Sequence, residues 1–245
     1  MNNAYDAEYN AFLSHAVLGI VHETQKERGT SAGFVGSKGA KFGQSLRAQR
    51  LNTNSMLSLL KSKQKDWSLS KEMHKELKEF EALFFELESM RRKVDSLATS
   101  VPDLLNYYTA INSKGLHIVV KAARLSDDPI ISKELTAIYN FSSAKESSGI
   151  ERAILANVFA NNQMSFAQKA RHVELLTQQK VYLNEALEVA PKAIRSILQS
   201  ALNQSSFAEV DRFRKQVEQK NSNFNIDAEA WFTAATNRIN ALKKC

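Results

Sequence analysis

Three arginines stand where an amphipathic helix should be apolar. Leu13, Val17, Ile20, Thr24, Ser31 and Val35 recur three or four residues apart, the spacing of one buried helix face, and Arg28 falls inside that stripe. Ala137, Phe141, Ala144 and Ser148 lead in the same way to Arg152, followed by Leu155 and Phe159. Trp231, Ala235 and Leu242 frame Arg238. A guanidinium does not shed its proton, so burying one is costly unless it is paired. The chemistry these positions offer is anion recognition. Parallel N–H groups suit a flat anion that presents two oxygens in one plane. Thr24 and Ser31 flank Arg28 on the same face and would add hydroxyl donors, although each type is also tolerated in an ordinary core.

The arginines come in a repeat. Glu27-Arg28, Ala32, Phe42, Gln44, Arg47, Leu51 and Thr53 are matched 124 residues later by Glu151-Arg152, Ala156, Phe166, Gln168, Arg171, Leu175 and Thr177. The same offset aligns Asp103-x3-Tyr107-Tyr108-Thr109-Ala110 with Asp227-x3-Trp231-Phe232-Thr233-Ala234. Two copies of one unit are expected, residues 1–125 and 126–245, packed about a pseudo-two-fold axis as one domain. The last helix repeats less closely, because Lys114 stands where the second unit has Arg238. An internal carboxylate, or long side chains reaching out to water, could satisfy these cations. The stripes hold no matched carboxylate, however, and Glu27 and Glu151 point about 100° away from their neighbouring arginines. A small anion between the units would satisfy several cations at once. The expected pocket is lined by Arg28, Arg152 and Arg238, with Thr24 and Ser31, between both first helices and the final one.

Helices must supply the frame. Hydrophobic residues make up 43% of the 245, with 8 Gly and 3 Pro, and the three-and-four spacing favours an all-α fold of two four-helix bundles related by internal duplication. Helices are predicted over about 6–32 and 41–63, then from a Ser70 cap to about 97, and over about 103–125. In the second unit they cover about 129–159, 165–189, 192–203 and 207–219, with a last one from Asp227. Three glycines between Gly33 and Gly39 should end the first helix, and Asp128-Pro129 should open the fifth. The break at Pro191 makes the second unit an imperfect copy.

Other chemistry finds little support. The net charge of +7 is spread over both halves, and no basic stripe with stacking aromatics suggests nucleic acid. None of the five histidines falls in a metal-binding or di-iron spacing, and no nucleophile–base pattern points to an enzyme. No apolar run approaches the roughly 18 residues of a membrane span, and no signal-peptide pattern follows Met1. The single cysteine, Cys245, excludes an internal disulfide. The helix from Trp231 to Cys245 stops in mid-pattern, as expected of a segment of a longer chain.

Gln25-Lys26-Glu27-Arg28-Gly29-Thr30-Ser31-Ala32-Gly33-Phe34, with Gly36-Ser37-Lys38-Gly39 and Leu46-x2-Gln49-Arg50-x2-Thr53, resembles the signature of the nitrate- and nitrite-sensing (NIT) domain. The tail Trp231-Phe232-x3-Thr236-x-Arg238-Ile239-x2-Leu242 is similar to that family's final helix. The resemblance implies an all-α sensor domain of two four-helix bundles whose ligand, in place of any cofactor, is nitrate or nitrite. It implies ligand arginines at Arg28 and Arg238, with Arg152 matching the central motif, and Lys114 argues for one asymmetric pocket. It further implies an input module for a receptor, kinase, cyclic-dinucleotide enzyme or antiterminator. A homodimer is expected, on the periplasmic side of the inner membrane and tethered through flanking segments, with a cytoplasmic location as the alternative. A structural or adaptor bundle, and a sensor of another small anion, remain the competing readings.

Overall fold

The structure, a computed structural model, describes residues 3–243; Met1, Asn2, Lys244 and Cys245, and with them the expected continuation of the last helix to Cys245, lie outside the described residues. The described residues form ten α-helices and no named strand. They are α1 (Asn3–Gly36), α2 (Gly43–Lys63), α3 (Lys71–Ala82), α4 (Leu87–Asp95), α5 (Val101–Leu125), α6 (Pro129–Asn161), α7 (Phe166–Val189), α8 (Lys192–Leu202), α9 (Ser205–Gln219) and α10 (Ala228–Lys243). None is long and apolar enough to cross a membrane.

The helix starts follow local chemistry. The Ser70 hydroxyl accepts the Met73 N–H, and Ser165 with Gln168 forms a reciprocal capping box. Asp128 accepts the Ile130 and Ile131 N–H groups while Pro129 takes the first turn. Ser100 caps α5, so Asp103 lies in its first turn and does not begin it.

Two expectations fail. The glycines do not end α1 at Ala32: the helix runs through Gly33 to Gly36, and the ring of Phe42 packs on Gly33. The break in the third helix is not peculiar to the second unit. Residues 83–86 interrupt the first unit as well, with Leu83, Phe84 and Phe85 donating to carbonyls three residues back. The Tyr107 hydroxyl donates to the Leu83 carbonyl there, satisfying a group the turn leaves free. In the second unit the corresponding break is Asn203–Gln204, between α8 and α9, and neither break contains Gly or Pro; Pro191 instead separates α7 from α8.

α1 and α6 form the centre. Their contacts climb both helices together: His22 meets Lys145, Gln25 meets Glu146, Gly29 meets Arg152 and Gly36 meets Asn157. The two helices therefore lie side by side in the same direction, with residues close to 124 apart facing each other. α1 and α5 share a core of Leu13, Val17, Ile20, Ile111 and Ile118 with Phe80. α6 and α10 share one built on Phe159, Trp231 and Leu175.

Candidate functional site

The two acids of the repeated Glu-Arg pair brace each half. Arg91 donates to Glu27 from Nε (2.7 Å) and Nη2 (2.9 Å). Arg214 does the same to Glu151, at 2.8 and 2.6 Å. Both pairs are bidentate, and both tie a central helix to the second segment of the broken third helix. Tyr108 adds a hydroxyl to Glu27, and Gln179 adds an amide to Glu151. Burial pushes the Glu151 carboxyl up, but Arg214 beside it more than compensates and holds it below the usual range.

With the glutamates turned into the bundles, the next residues turn towards each other. Arg28 and Arg152 are both fully buried. Arg28 Nη1 donates to Thr109 Oγ1 at 2.8 Å and also to Glu146, and Nη2 reaches Glu146 Oε2 at 3.1 Å. Arg152 Nη2 donates to the Gln25 carbonyl (2.8 Å) and Nη1 to Thr236 (2.9 Å), while its plane stacks 4.6 Å from the Phe232 ring centre. Each arginine crosses a glycine of the opposite helix. A Cβ on Gly29 would lie 3.1 Å from Arg152 Nε, and one on Gly149 would lie 2.9 Å from Arg28 Nη2. Burial, with the like charge of Arg28 beside it, pushes Arg152 down to about 9, so it remains a cation at neutral pH. The Nε groups of both arginines, the Ser31 hydroxyl and Gln25 Oε1 are buried without hydrogen-bond partners.

An internal carboxylate does face Arg28, but it lies off the apolar stripe and has no match in the first unit, where His22 holds its place. Glu146 is buried on α6 and accepts from Arg28, from Gln25 Nε2 (2.7 Å) and from Asn112 Nδ2 (3.1 Å). The Thr24 hydroxyl donates to Asn112 Oδ1 at 2.6 Å, so it orients that amide towards Glu146. A stripe search misses Glu146 because α6 is buried on every face over residues 141–156, so no single stripe marks its interior side. Asn112 carried no signal; Gln25 stands in the first motif, Thr109 and Phe232 in the second repeated block, and Phe232 with Thr236 in the tail motif, but none of these patterns marked them as site residues.

Arg238 does not join this cluster. It follows Thr236 by two residues, about 200° round the helix, and faces the crevice among α7, α8 and α9. There its guanidinium stacks 4.6 Å from the Phe207 ring centre, with Nε and Nη1 unpartnered. Burial, then the charge of Arg214, pushes it down to about 10. Its counterpart Lys114 instead bonds Glu76 and Glu79 near the surface.

A polar crevice of about 440 Å³ opens between α5, α6 and α7 and reaches Thr109 and Glu146, with Arg124, Arg171 and His117 also on its walls. A larger cavity, about 700 Å³, lies near His15 and Leu242 and is mostly apolar. Of these two, only the smaller, polar crevice reaches Thr109 and Glu146 beside Arg28.

An all-helical domain with a buried arginine pair at its centre is the class this frame defines. The sequence profile for nitrate and nitrite sensing matches residues 19–245, and the chain belongs to that family. The solved structure of the NasR transcription antiterminator superimposes with a TM-score of 0.90 at 21% identity, covering 99% of this chain and 67% of that one; it shows a shared fold. No curated protein matches the sequence significantly.

Proposed function

We propose that this domain binds nitrate or nitrite between α1 and α6, at Arg28 and Arg152, and passes the binding event to an output domain without catalysing a reaction. The observation that carries the reading is the pair of fully buried guanidiniums between the two central helices, of which only Arg28 bonds a carboxylate, Glu146. Thr24 serves through Asn112, and Ser31 offers a free buried hydroxyl. The family resemblance also assigns Arg238, which meets such a ligand only through a shift of α10. The two halves, 1–125 and 126–245, act as duplicated units of one sensor.

Ligand fixed at Arg28 and Arg152 holds α1 against α6, and α10 follows through Thr236 and Phe232. The signal is a small displacement of α10 relative to α1. On family grounds the output is a receptor or kinase reached through flanking membrane segments, with the sensor periplasmic and dimeric. The likeness to an antiterminator supports a second reading, a sensor joined to an RNA-acting module in the cytoplasm. The test is a titration with nitrate, nitrite, chloride, bicarbonate and acetate, read as a rise in melting temperature. Stabilisation by nitrate or nitrite that disappears in Arg28→Lys and Arg152→Lys is expected, since lysine keeps the charge but loses the planar fork. An equal response to every anion, or an unchanged response in both variants, counts against the site.

A further inference from the structure

We propose that Glu146 is a tethered anion occupying the ligand's own place: nitrate or nitrite enters by the α5–α6–α7 crevice, displaces the Glu146 carboxylate from Arg28 and takes over its donors. The inference rests on the reading of Arg28 as a ligand residue and adds how the ligand reaches it and what selects it.

Three observations converge. The first is chemical likeness. The carboxylate of Glu146 is a flat, monovalent group with two oxygens, as nitrite is, and nitrate presents such a pair on each edge. Its oxygens collect Arg28 Nη1 and Nη2, Gln25 Nε2 and Asn112 Nδ2. These are the N–H groups a flat anion of the same size requires. Chloride, a single atom, does not span the fork of Arg28 together with both amides.

The second is access. Glu146 and Thr109 line the crevice, whereas Arg28 is fully buried behind them. An anion arriving from solvent meets the Glu146 carboxylate before the arginine. The Glu146 side chain is 9% exposed against 0% for Arg28, so it closes the inner end of the crevice.

The third is a destination. Arg124, Arg171 and His117 line the same crevice, so a carboxylate that swings outward from α6 enters a wet and basic space. No helix need unfold for the exchange. Charge is conserved at Arg28, one monovalent anion replacing another, and the expelled carboxylate regains water. Glu146 then sets the threshold of the sensor: the ligand must outcompete an anion held at very high local concentration. It also sets the selectivity, since only anions that reproduce its donor pattern compete well.

The experiment compares sodium nitrate, sodium formate and sodium chloride on the wild type, Glu146→Gln and Glu146→Ala, by calorimetry and melting temperature. Removing the tethered charge relieves the competition, so nitrate binds Glu146→Gln at least about tenfold more tightly. Glu146→Ala leaves a carboxylate-sized space at Arg28. Formate should refill it and raise the melting temperature of this variant more than that of the wild type, and chloride should not. Should Glu146→Gln fail to fold, formate rescue of Glu146→Ala carries the test alone. Nitrate affinity in the variants equal to or weaker than wild type overturns the displacement while leaving Arg28 as the site. Absence of nitrate and nitrite binding in all three proteins overturns this inference together with the proposed function.

Discussion

The guanidinium of Arg152 lies against Gly29 so closely that a Cβ there would sit 3.1 Å from its Nε. Arg28 lies in the same way against Gly149. The two central helices thus exchange arginines over each other's glycines. Alanine at 149 gains up to about 1 kcal/mol of helix propensity but pushes Arg28 away from its donor geometry. Gly149→Ala should therefore melt close to the wild type, within about 1 kcal/mol. It should bind nitrate about tenfold more weakly, the loss of one good hydrogen bond to a charged group. Thermal melts and nitrate titration on the same preparation measure both. A variant with unchanged affinity would show that the crossing is only packing.

Arg28 and Glu146 are coupled, which changes how an arginine substitution must be read. Arg28→Met strands a buried carboxylate and should cost roughly 3–5 kcal/mol. The double substitution Arg28→Met with Glu146→Leu removes both charges and should recover most of that loss while remaining blind to nitrate. Urea denaturation of the single and double variants closes the cycle, and additive losses would argue against a coupled pair.

Arg238 separates the two possible sites. Its partners are Phe207 and the field of Arg214, none shared with Arg28 or Arg152. Arg238→Ala should leave nitrate affinity within about twofold of wild type, as independent sites do. Arg152→Ala should abolish the response. Loss of binding in Arg238→Ala would place α10 against the ligand in the bound state.

The acid limb of stability should carry a Glu76 contribution. Hydrogen bonds from Lys114 and then Lys121 hold its carboxyl at about 2, against 4.5 for the free group. A lowered folded value means stability that is present above about 4.5 and lost as pH falls towards 2. Glu76→Gln should be destabilised on the order of 1 kcal/mol at pH 7, the lysines being partly screened by water. The gap from wild type should close between pH 4.5 and 2 in denaturant titrations.

Signal transmission predicts a displacement of about 1–2 Å between α10 and α1, the scale of helix shifts at interfaces. Spin labels at the exposed positions Glu8 and Asn240 sit near the two chain ends. Their distance distribution should change when nitrate is added. A distribution that stays fixed while nitrate binds would rule out these two helices as the moving parts.

Much of the frame was legible because it is local. Ser70, Asp128-Pro129 and Ser165 announce their helices through caps formed within three residues. The periodic stripes announce an all-α chain, and the glutamate–arginine repeat places Arg28 opposite Arg152. What the sequence alone could not assign is which buried side chains face each other. Over residues 141–156, α6 is enclosed on every side, so burial no longer distinguishes an inner face. Glu146 was therefore invisible beside Arg28, and Arg238 was grouped with Arg152 although two residues of helix turn it away from Thr236. The break at 83–86 was hidden for a related reason: no residue there forbids a helix, and Tyr107 reaches in from another element to complete the turn. Period and caps are properties of a few neighbouring residues. The pairing of charges across α1, α5, α6 and α10 is a property of their packing, and only the assembled tertiary structure decides it.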